Sequence, residues 1–258
     1  MKTFLQTILT FLNRLCNIVG LSLVRKSKIQ TNCWPHSIVP IVHYETDSNF
    51  HDLYDEAQQK TQMVATDNAL RRLRHYTLMH LLQQANLSEG NVVELGTFHG
   101  LSAYQIATQI SARDSSATFS IFDSFEGLSE IKEEDKSAHA IDDDSLRKQF
   151  AYGEDLVKQN LSSFKCIRFY KGWIPDRFSE VDDQKFSFVH IDVDLYEPIK
   201  DSIGFFYPKL IQGGIMVFDD YGFTTQFPGA KKAVDEALLS LDHSFFLALP
   251  SGQAFIIK

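Results

Sequence analysis

At 258 residues, 44% hydrophobic and 22% charged, the chain has the balance of a globular protein with one sizeable core, not of a disordered segment or of two full domains. A formal net charge of −8 and a pI near 5.6 argue against a nucleic-acid partner, because phosphate recognition needs a basic face that releases counterions. The three cysteines, Cys16, Cys33 and Cys166, are odd in number and lack C-x-x-C spacing, so neither a disulfide framework nor a zinc site is expected, and a reducing, cytoplasmic setting fits.

Residues 1–24 carry Phe4, Ile8, Phe11, Leu12, Leu15 and Val19 at helical spacing, interrupted by Asn13, Arg14 and Asn17. The interruptions argue against a membrane span and against the apolar centre of a signal peptide. An amphipathic helix packing on the domain, or on a second copy in a homo-oligomer, is the expectation. A helix lying on a membrane surface, helped by Arg25, Lys26 and Lys28, is the less favoured reading, and a cleaved signal less favoured still.

Residues 67–84, with Leu70, Leu73, Leu78, Leu81 and Leu82, read as a helix ending before Gly90. Strand-like runs then follow at residues 92–95, 118–122, 167–170, 186–191, 215–218, 245–249 and 254–257. Helical stretches fall between them at 101–110, 145–160, 198–210 and 230–241. Alternating strands and helices imply a parallel sheet covered on both faces, since parallel neighbours need crossover connections. Only Pro250, Ser251, Gly252 and Gln253 separate the last two runs, which must therefore pair as an antiparallel hairpin. The expected fold is thus α/β, with seven strands, mostly parallel, closed by a C-terminal hairpin. Ligands of such sheets sit beyond the carboxyl ends of the strands. The acidic clusters at 133–135 and 142–144 fall in a long polar segment and read as a solvated loop or lid.

The chemistry-bearing residues lie at those ends. The first strand runs into Glu94-Leu95-Gly96-Thr97-Phe98-His99-Gly100-Leu101-Ser102, a strand-to-helix turn where backbone can approach a ligand closely. A nicotinamide fingerprint would need glycine at 98, where Phe98 stands. The pattern acid-x-Gly-x-x-x-Gly instead resembles the first motif of class I methyltransferases that bind S-adenosylmethionine. Asp123, ending the second strand, stands where an acid can take two ribose hydroxyls, the alternative being a capping aspartate. On the fourth strand Asp192 and Asp194 share a face by the two-residue period. Asp219 and Asp220, ending the fifth, can reach one ion only if the chain has begun to turn, as Gly222 suggests. Carboxylates converging at adjacent strand ends repel unless a cation or protons neutralise them. A hard divalent ion, most simply magnesium, is the economical solution, with solvated loop acids as the alternative.

Asp123-Ser124-Phe125-Glu126-Gly127, His190-Ile191-Asp192-Val193-Asp194-Leu195-Tyr196-Glu197, Tyr207-Pro208-Lys209-Leu210, Gly213-Gly214, Phe218-Asp219-Asp220-Tyr221-Gly222 and Ala233-Val234-Asp235-Glu236 resemble the macrocin-type O-methyltransferases, which act on sugar hydroxyls of secondary metabolites. The resemblance runs from about residue 67 to the C-terminus, so residues 67–258 are expected to form a Rossmann-like methyltransferase domain and residues 1–66 a helical or irregular extension. It implies Asp192, Asp219 and Asp220 as ligands of Mg2+ or another divalent cation and Asp194 as general base. It implies Glu94, Gly96, Thr97, Gly100, Ser102, Asp123, Ser124 and Asp192 as contacts of S-adenosylmethionine, and a glycoside or other small-molecule hydroxyl as acceptor. Val193 stands where the family usually has glycine, and Thr97-Phe98-His99 departs from its usual first motif, which bears on the acceptor more than on the fold. Trp173 and Tyr221 are candidates for the acceptor pocket, His99 and His139 are lesser ones, and His190 reads as a satisfied interior histidine. Alternatives are a metal-dependent glycosyltransferase using Asp192-Val193-Asp194, a Rossmann oxidoreductase limited by the failed fingerprint, and a non-catalytic cofactor-binding module.

Overall fold

The computed structural model describes residues 47–64, 67–113, 115–136 and 143–258. The N-terminal amphipathic stretch at 1–24, Cys16, Cys33, His139 and Asp142 lie outside the described residues. Two helices, α1 (Ser48–Thr61) and α2 (Ala69–Gln84), precede β1 (Asn91–Leu95). Then come α3 (Leu101–Ala112), β2 (Phe119–Asp123), α4 (Asp143–Gln149), α5 (Glu154–Asn160) and β3 (Ile167–Lys171). The chain continues with β4 (Phe186–Ile191), α6 (Tyr196–Lys209), β5 (Leu210–Phe218), α7 (Pro228–Leu238), β6 (Phe245–Ala248) and β7 (Ala254–Ile257).

The seven strands form one sheet in the order β3-β2-β1-β4-β5-β7-β6, with β7 antiparallel to both of its neighbours and the other pairs parallel. This is the architecture expected from the connection lengths. Alternate strand residues feed two cores. Val92, Ile121, Phe188 and Val217 pack with residues of α1, α2 and α3 on one face. Val93, Phe122, Val189 and Met216 pack with α6 and α7 on the other. Phe50, Tyr54 and Ala57 of α1 belong to the first core, so this helix is integral to it. No helix among the described residues is long and apolar enough to cross a membrane.

Three local expectations are corrected. The single helical stretch at 145–160 is two helices, divided at residues 150–153, where Gly153 is the N-cap of α5. The acidic run at 133–135 is a 3-10 turn whose last residue, Asp135, is buried and accepts the Tyr196 N–H at 2.7 Å, capping α6. Leu70 is 42% exposed, outside the leucine stripe of α2, whose buried residues are Leu78, Met79 and Leu82.

Candidate active site

Strand register aligns the chemistry. Leu95 of β1 pairs with Phe122 of β2 and with Ile191 of β4, which pairs with Phe218 of β5. The next residue on each strand therefore makes one row across the sheet: Asp123, Gly96, Asp192 and Asp219. The backbone continues the ladder into that row, with Asp192 N–H donating to Leu95 O at 2.8 Å and Asp219 N–H to Ile191 O at 3.0 Å. Because β2 and β3 lie to one side of β1 while β4 and β5 lie to the other, the row straddles the point where strand order reverses, the usual crevice of open α/β sheets.

A cavity of about 350 Å3 opens there, in the range of small-molecule sites. Its wall includes Gly96, Thr97, Ser102, Asp123, Ser124, Asp192, Asp194, Asp219 and Asp220. Glu94 and Gly100 are not part of the wall. Glu94 is fully buried behind it, and Gly100 is the left-handed N-cap of α3. At Gly96, with φ +82°, a Cβ would stand 1.9 Å from the Asp192 carbonyl oxygen, so glycine lets the β1 turn lie directly against the start of the acidic segment. Asp123 ties that turn to its own: Oδ2 accepts the N–H of Thr97 (2.7 Å) and Phe98 (3.3 Å), and Oδ1 accepts that of Phe125 (2.6 Å). Burial nonetheless pushes its carboxyl up from the ordinary aspartate range, against those three donors.

The four acids of β4 and β5 converge, though not by strand periodicity alone. β4 stops at Ile191, and Asp194 takes a left-handed backbone at φ 60°, a conformation aspartate tolerates better than most residues and one concentrated at functional sites. Asp219 and Asp220 both reach the cavity because the chain bends as soon as β5 ends, and the Gly222 N–H then donates to Gly252 O at 2.6 Å. Burial first, then the charge of Asp192, pushes the Asp194 carboxyl up to about 8. Asp220 is also held well above the usual range by burial, then by Asp194 and Asp192. His190 lies on β4, 1% exposed, with Nδ1 3.0 Å from Glu94 Oε1 and Nε2 3.7 Å from Asp219 Oδ1. Ligand atoms of His190, Asp192 and Asp219 all fall within 4.8 Å of one another.

Residues 42–237 match the family model described as Macrocin-O-methyltransferase (TylF). The chain belongs to the macrocin O-methyltransferase family. It is 27% identical over 166 residues to the demethyldecarbamoylnovobiocin O-methyltransferase of Streptomyces niveus, across 59% of this chain and 60% of that protein. With the mycinamicin III 3''-O-methyltransferase of Micromonospora griseorubida it shares 28% identity over 160 residues, 57% of this chain and 59% of the relative. The matched region thus spans about six-tenths of these relatives. The calicheamicin methyltransferase CalS11 has the same fold, at a TM-score of 0.63 and 18% identity over 79% of this chain and 91% of that one.

In this macrocin-type protein, the site also holds residues that sequence reasoning missed. Arg71, Arg74, His75 and Leu78 line the cavity, spaced i, i+3, i+4 and i+7, one face of α2. The basic run Arg71-Arg72-Leu73-Arg74-His75 was the available signal. Arg74 Nη2 touches Asp219 Oδ2 and lies 3.4 Å from Asp220 Oδ1, with its guanidinium 4.7 Å from the Phe223 ring centroid. Gln253, in the turn before β7, donates to Asp219 Oδ1 at 2.7 Å and to Arg74 O at 3.3 Å; nothing local in the sequence announces it. His99 and Trp173 do line the cavity, but Tyr221 does not: its hydroxyl donates to Asp235 and its ring packs on Phe246, so the acceptor-pocket expectation for it is corrected. The reading of His190 as satisfied is corrected as well, because its buried Nε2 has no hydrogen-bond partner.

The donor set fits a divalent cation. Three carboxylates supply hard oxygens, His190 Nε2 is buried beside them without a hydrogen-bond partner, and among the described residues the Arg74 guanidinium is the cation that pairs with both Asp219 and Asp220. The wall beside the glycine turn offers polar groups suited to a nucleoside-type ligand, among them Asp123 and Thr97, whose buried Oγ1 has no hydrogen-bond partner.

Proposed function

We propose that this protein is an S-adenosylmethionine-dependent O-methyltransferase acting on a hydroxyl of a sugar or glycoside-type small molecule, with a divalent cation held by Asp192, Asp219 and Asp220. The observation that carries the reading is that the glycine turn and the four acids open into one cavity at the reversal point of the sheet. Family membership and the names of the relatives, all O-methyltransferases, support it.

The bound cofactor supplies an electrophilic methyl group. Gly96, Thr97, Ser102 and Ser124 offer it close backbone and hydroxyl contacts. Asp123 uses three of its roughly four acceptor sites internally, leaving capacity for a ribose hydroxyl. A divalent cation at the acids supplies positive charge that favours ionisation of the acceptor hydroxyl and lowers neighbouring carboxyl pKa values. Asp194, on the cavity wall, would take the acceptor proton. Burial, then the charge of Asp192, raises its affinity for a proton above that of an ordinary aspartate, and the charge of the cation would return it toward the ionised form that a base needs. Trp173 and Phe223 give the cavity apolar surface for the rest of the acceptor. A reducing, cytoplasmic setting belongs to the same reading, supported by the free Cys166.

The Asp-x-Asp glycosyltransferase alternative is not favoured, since it leaves the glycine turn opening on the same cavity without a role. Calorimetry with S-adenosylmethionine, followed by transfer of its labelled methyl group to a panel of glycosides, tests the proposal. Saturable cofactor binding with labelled product is expected. A chain that binds a nucleotide sugar but not S-adenosylmethionine would refute it.

A further inference from the structure

The sulfur of S-adenosylmethionine carries a methyl group, the adenosyl group and an aminoacyl arm that ends in a carboxylate and an ammonium. With the ribose at Asp123 of β2 and the methyl group turned to the acids of β4 and β5, the arm meets the remaining wall, which α2 and the first turn of α3 form. That wall suits an anion. α3, 12 residues long, starts at Gly100, which supplies no side-chain cap, and its first-turn residues Leu101 and Ser102 line the cavity, so the positive end of the helix is turned to the ligand. Beside it Thr97, 5% exposed, lines the same cavity with an Oγ1 that has no hydrogen-bond partner. Arg71 lines the cavity from α2. The Gln105 amide, 2.9 Å from His75 Nδ1, holds α3 against α2, and Arg71 and Leu101 each stand one turn before those two residues. Burial first, and with it the positive charge of Arg71, holds His99 of the glycine turn below the ordinary histidine value, which sets the guanidinium close to that turn. Arg74, the other arginine on this wall, pairs with Asp219 and Asp220. A guanidinium presents five donors in a fork that matches a carboxylate, enough to serve a ligand beside a protein neighbour.

We propose that Arg71 anchors the carboxylate of S-adenosylmethionine, which it receives together with the Thr97 hydroxyl and the first N–H groups of α3. Arg71 has this role only if the cavity takes S-adenosylmethionine, as proposed above. Ribose held at Asp123 and carboxylate held at Arg71 fix the cofactor on both sides of its sulfur, so the methyl group is aimed at the acids and not left to rotate. α2 thereby serves both ligands, with Arg71 at the cofactor and Arg74 one turn on at the acids.

Calorimetry on the full chain compares S-adenosylhomocysteine with its decarboxylated analogue, which keeps the adenosyl group and the ammonium. Wild type is expected to bind S-adenosylhomocysteine about 10–100-fold more tightly, as charge-assisted hydrogen bonds to one carboxylate allow. Arg71→Met should remove most of that difference by weakening S-adenosylhomocysteine alone, and Arg71→Lys, which keeps the charge without the fork, should recover part of it. Equal weakening of both ligands would mark Arg71 as merely structural, and unchanged cofactor affinity with a raised KM for the acceptor would give the guanidinium to the acceptor; either result overturns the proposal. A wild-type chain that binds the two ligands alike also overturns it and leaves the S-adenosylmethionine reading standing, whereas failure to bind S-adenosylhomocysteine removes both. If Arg71→Met does not fold, a loss in Arg71→Lys confined to S-adenosylhomocysteine supports the assignment, and a loss shared by both ligands overturns it.

Discussion

Gln105 gives one amide N–H to His75 Nδ1 at 2.9 Å and the other to the carbonyl of Leu101 at 3.0 Å. Because the Leu101 carbonyl can only accept, the amide cannot be reversed, and His75 must keep an unprotonated Nδ1 facing a donor. Burial first, then the charges of Arg74, His190 and Arg71, hold its pKa well below the ordinary histidine value.

The consequence is an acid-labile contribution to stability. An unfolded chain takes up a proton at His75 near pH ~6.5, whereas the folded chain does so only at lower pH. The stabilising term is complete above that unfolded value and is lost as pH falls from there through the folded pKa. His75→Gln should therefore flatten the decline of Tm between about pH 7 and 5 relative to wild type. Parallel melting curves across that range would rule the effect out.

Asp194→Asn preserves the size of the side chain and suits the left-handed backbone at φ 60°. Turnover should fall by about 10²–10⁴, with cofactor affinity little changed. Calorimetry beside steady-state kinetics separates the two, and turnover within a fewfold of wild type would dismiss Asp194 as the base.

Arg74 is the present counter-charge of Asp219 and Asp220. Replacing it with methionine should cost about 1–3 kcal/mol in metal-free protein, less than the roughly 3–5 kcal/mol of a fully buried pair because the guanidinium side is partly open. The same variant should bind Mn2+ more tightly than wild type, since the guanidinium no longer competes for the carboxylates. Urea unfolding with and without Mn2+ measures both effects; unchanged stability and affinity would mean that the pair is without weight.

Gly96→Ala meets two obstacles, a positive φ and a Cβ 1.9 Å from the Asp192 carbonyl. A loss of roughly 2–4 kcal/mol is expected, from left-handed strain plus displacement of the acidic segment. A variant with wild-type stability would show that β1 and β4 tips are not packed as described.

Legibility in the sequence followed range. The strands could be read because each is a short apolar run bounded by turn residues, and the C-terminal hairpin because four residues cannot make a crossover. Asp192, Asp194, Asp219 and Asp220 stood out because they end apolar strands, where a charge has no packing reason to be. Arg74 and Gln253 were invisible by the same logic: each meets Asp219 across 145 and 34 positions of chain respectively, and neither breaks a local pattern. The capping of α6 by Asp135 was hidden likewise, its partner lying 61 residues away.

The sequence by itself determined the order of elements, the parallel sheet with its reversed final strand, and the presence of a glycine turn and four acids at strand ends, because periodicity, turn residues and connection length act within a few residues. Only the tertiary structure decided that Arg74 neutralises the Asp219–Asp220 pair, that Tyr221 faces away, and that His190 is pinned by Glu94 with a free nitrogen beside the acids. Those outcomes depend on which faces of α2, β1 and β4 meet when the strand order reverses, and distances of that kind are fixed by packing, not by local pattern.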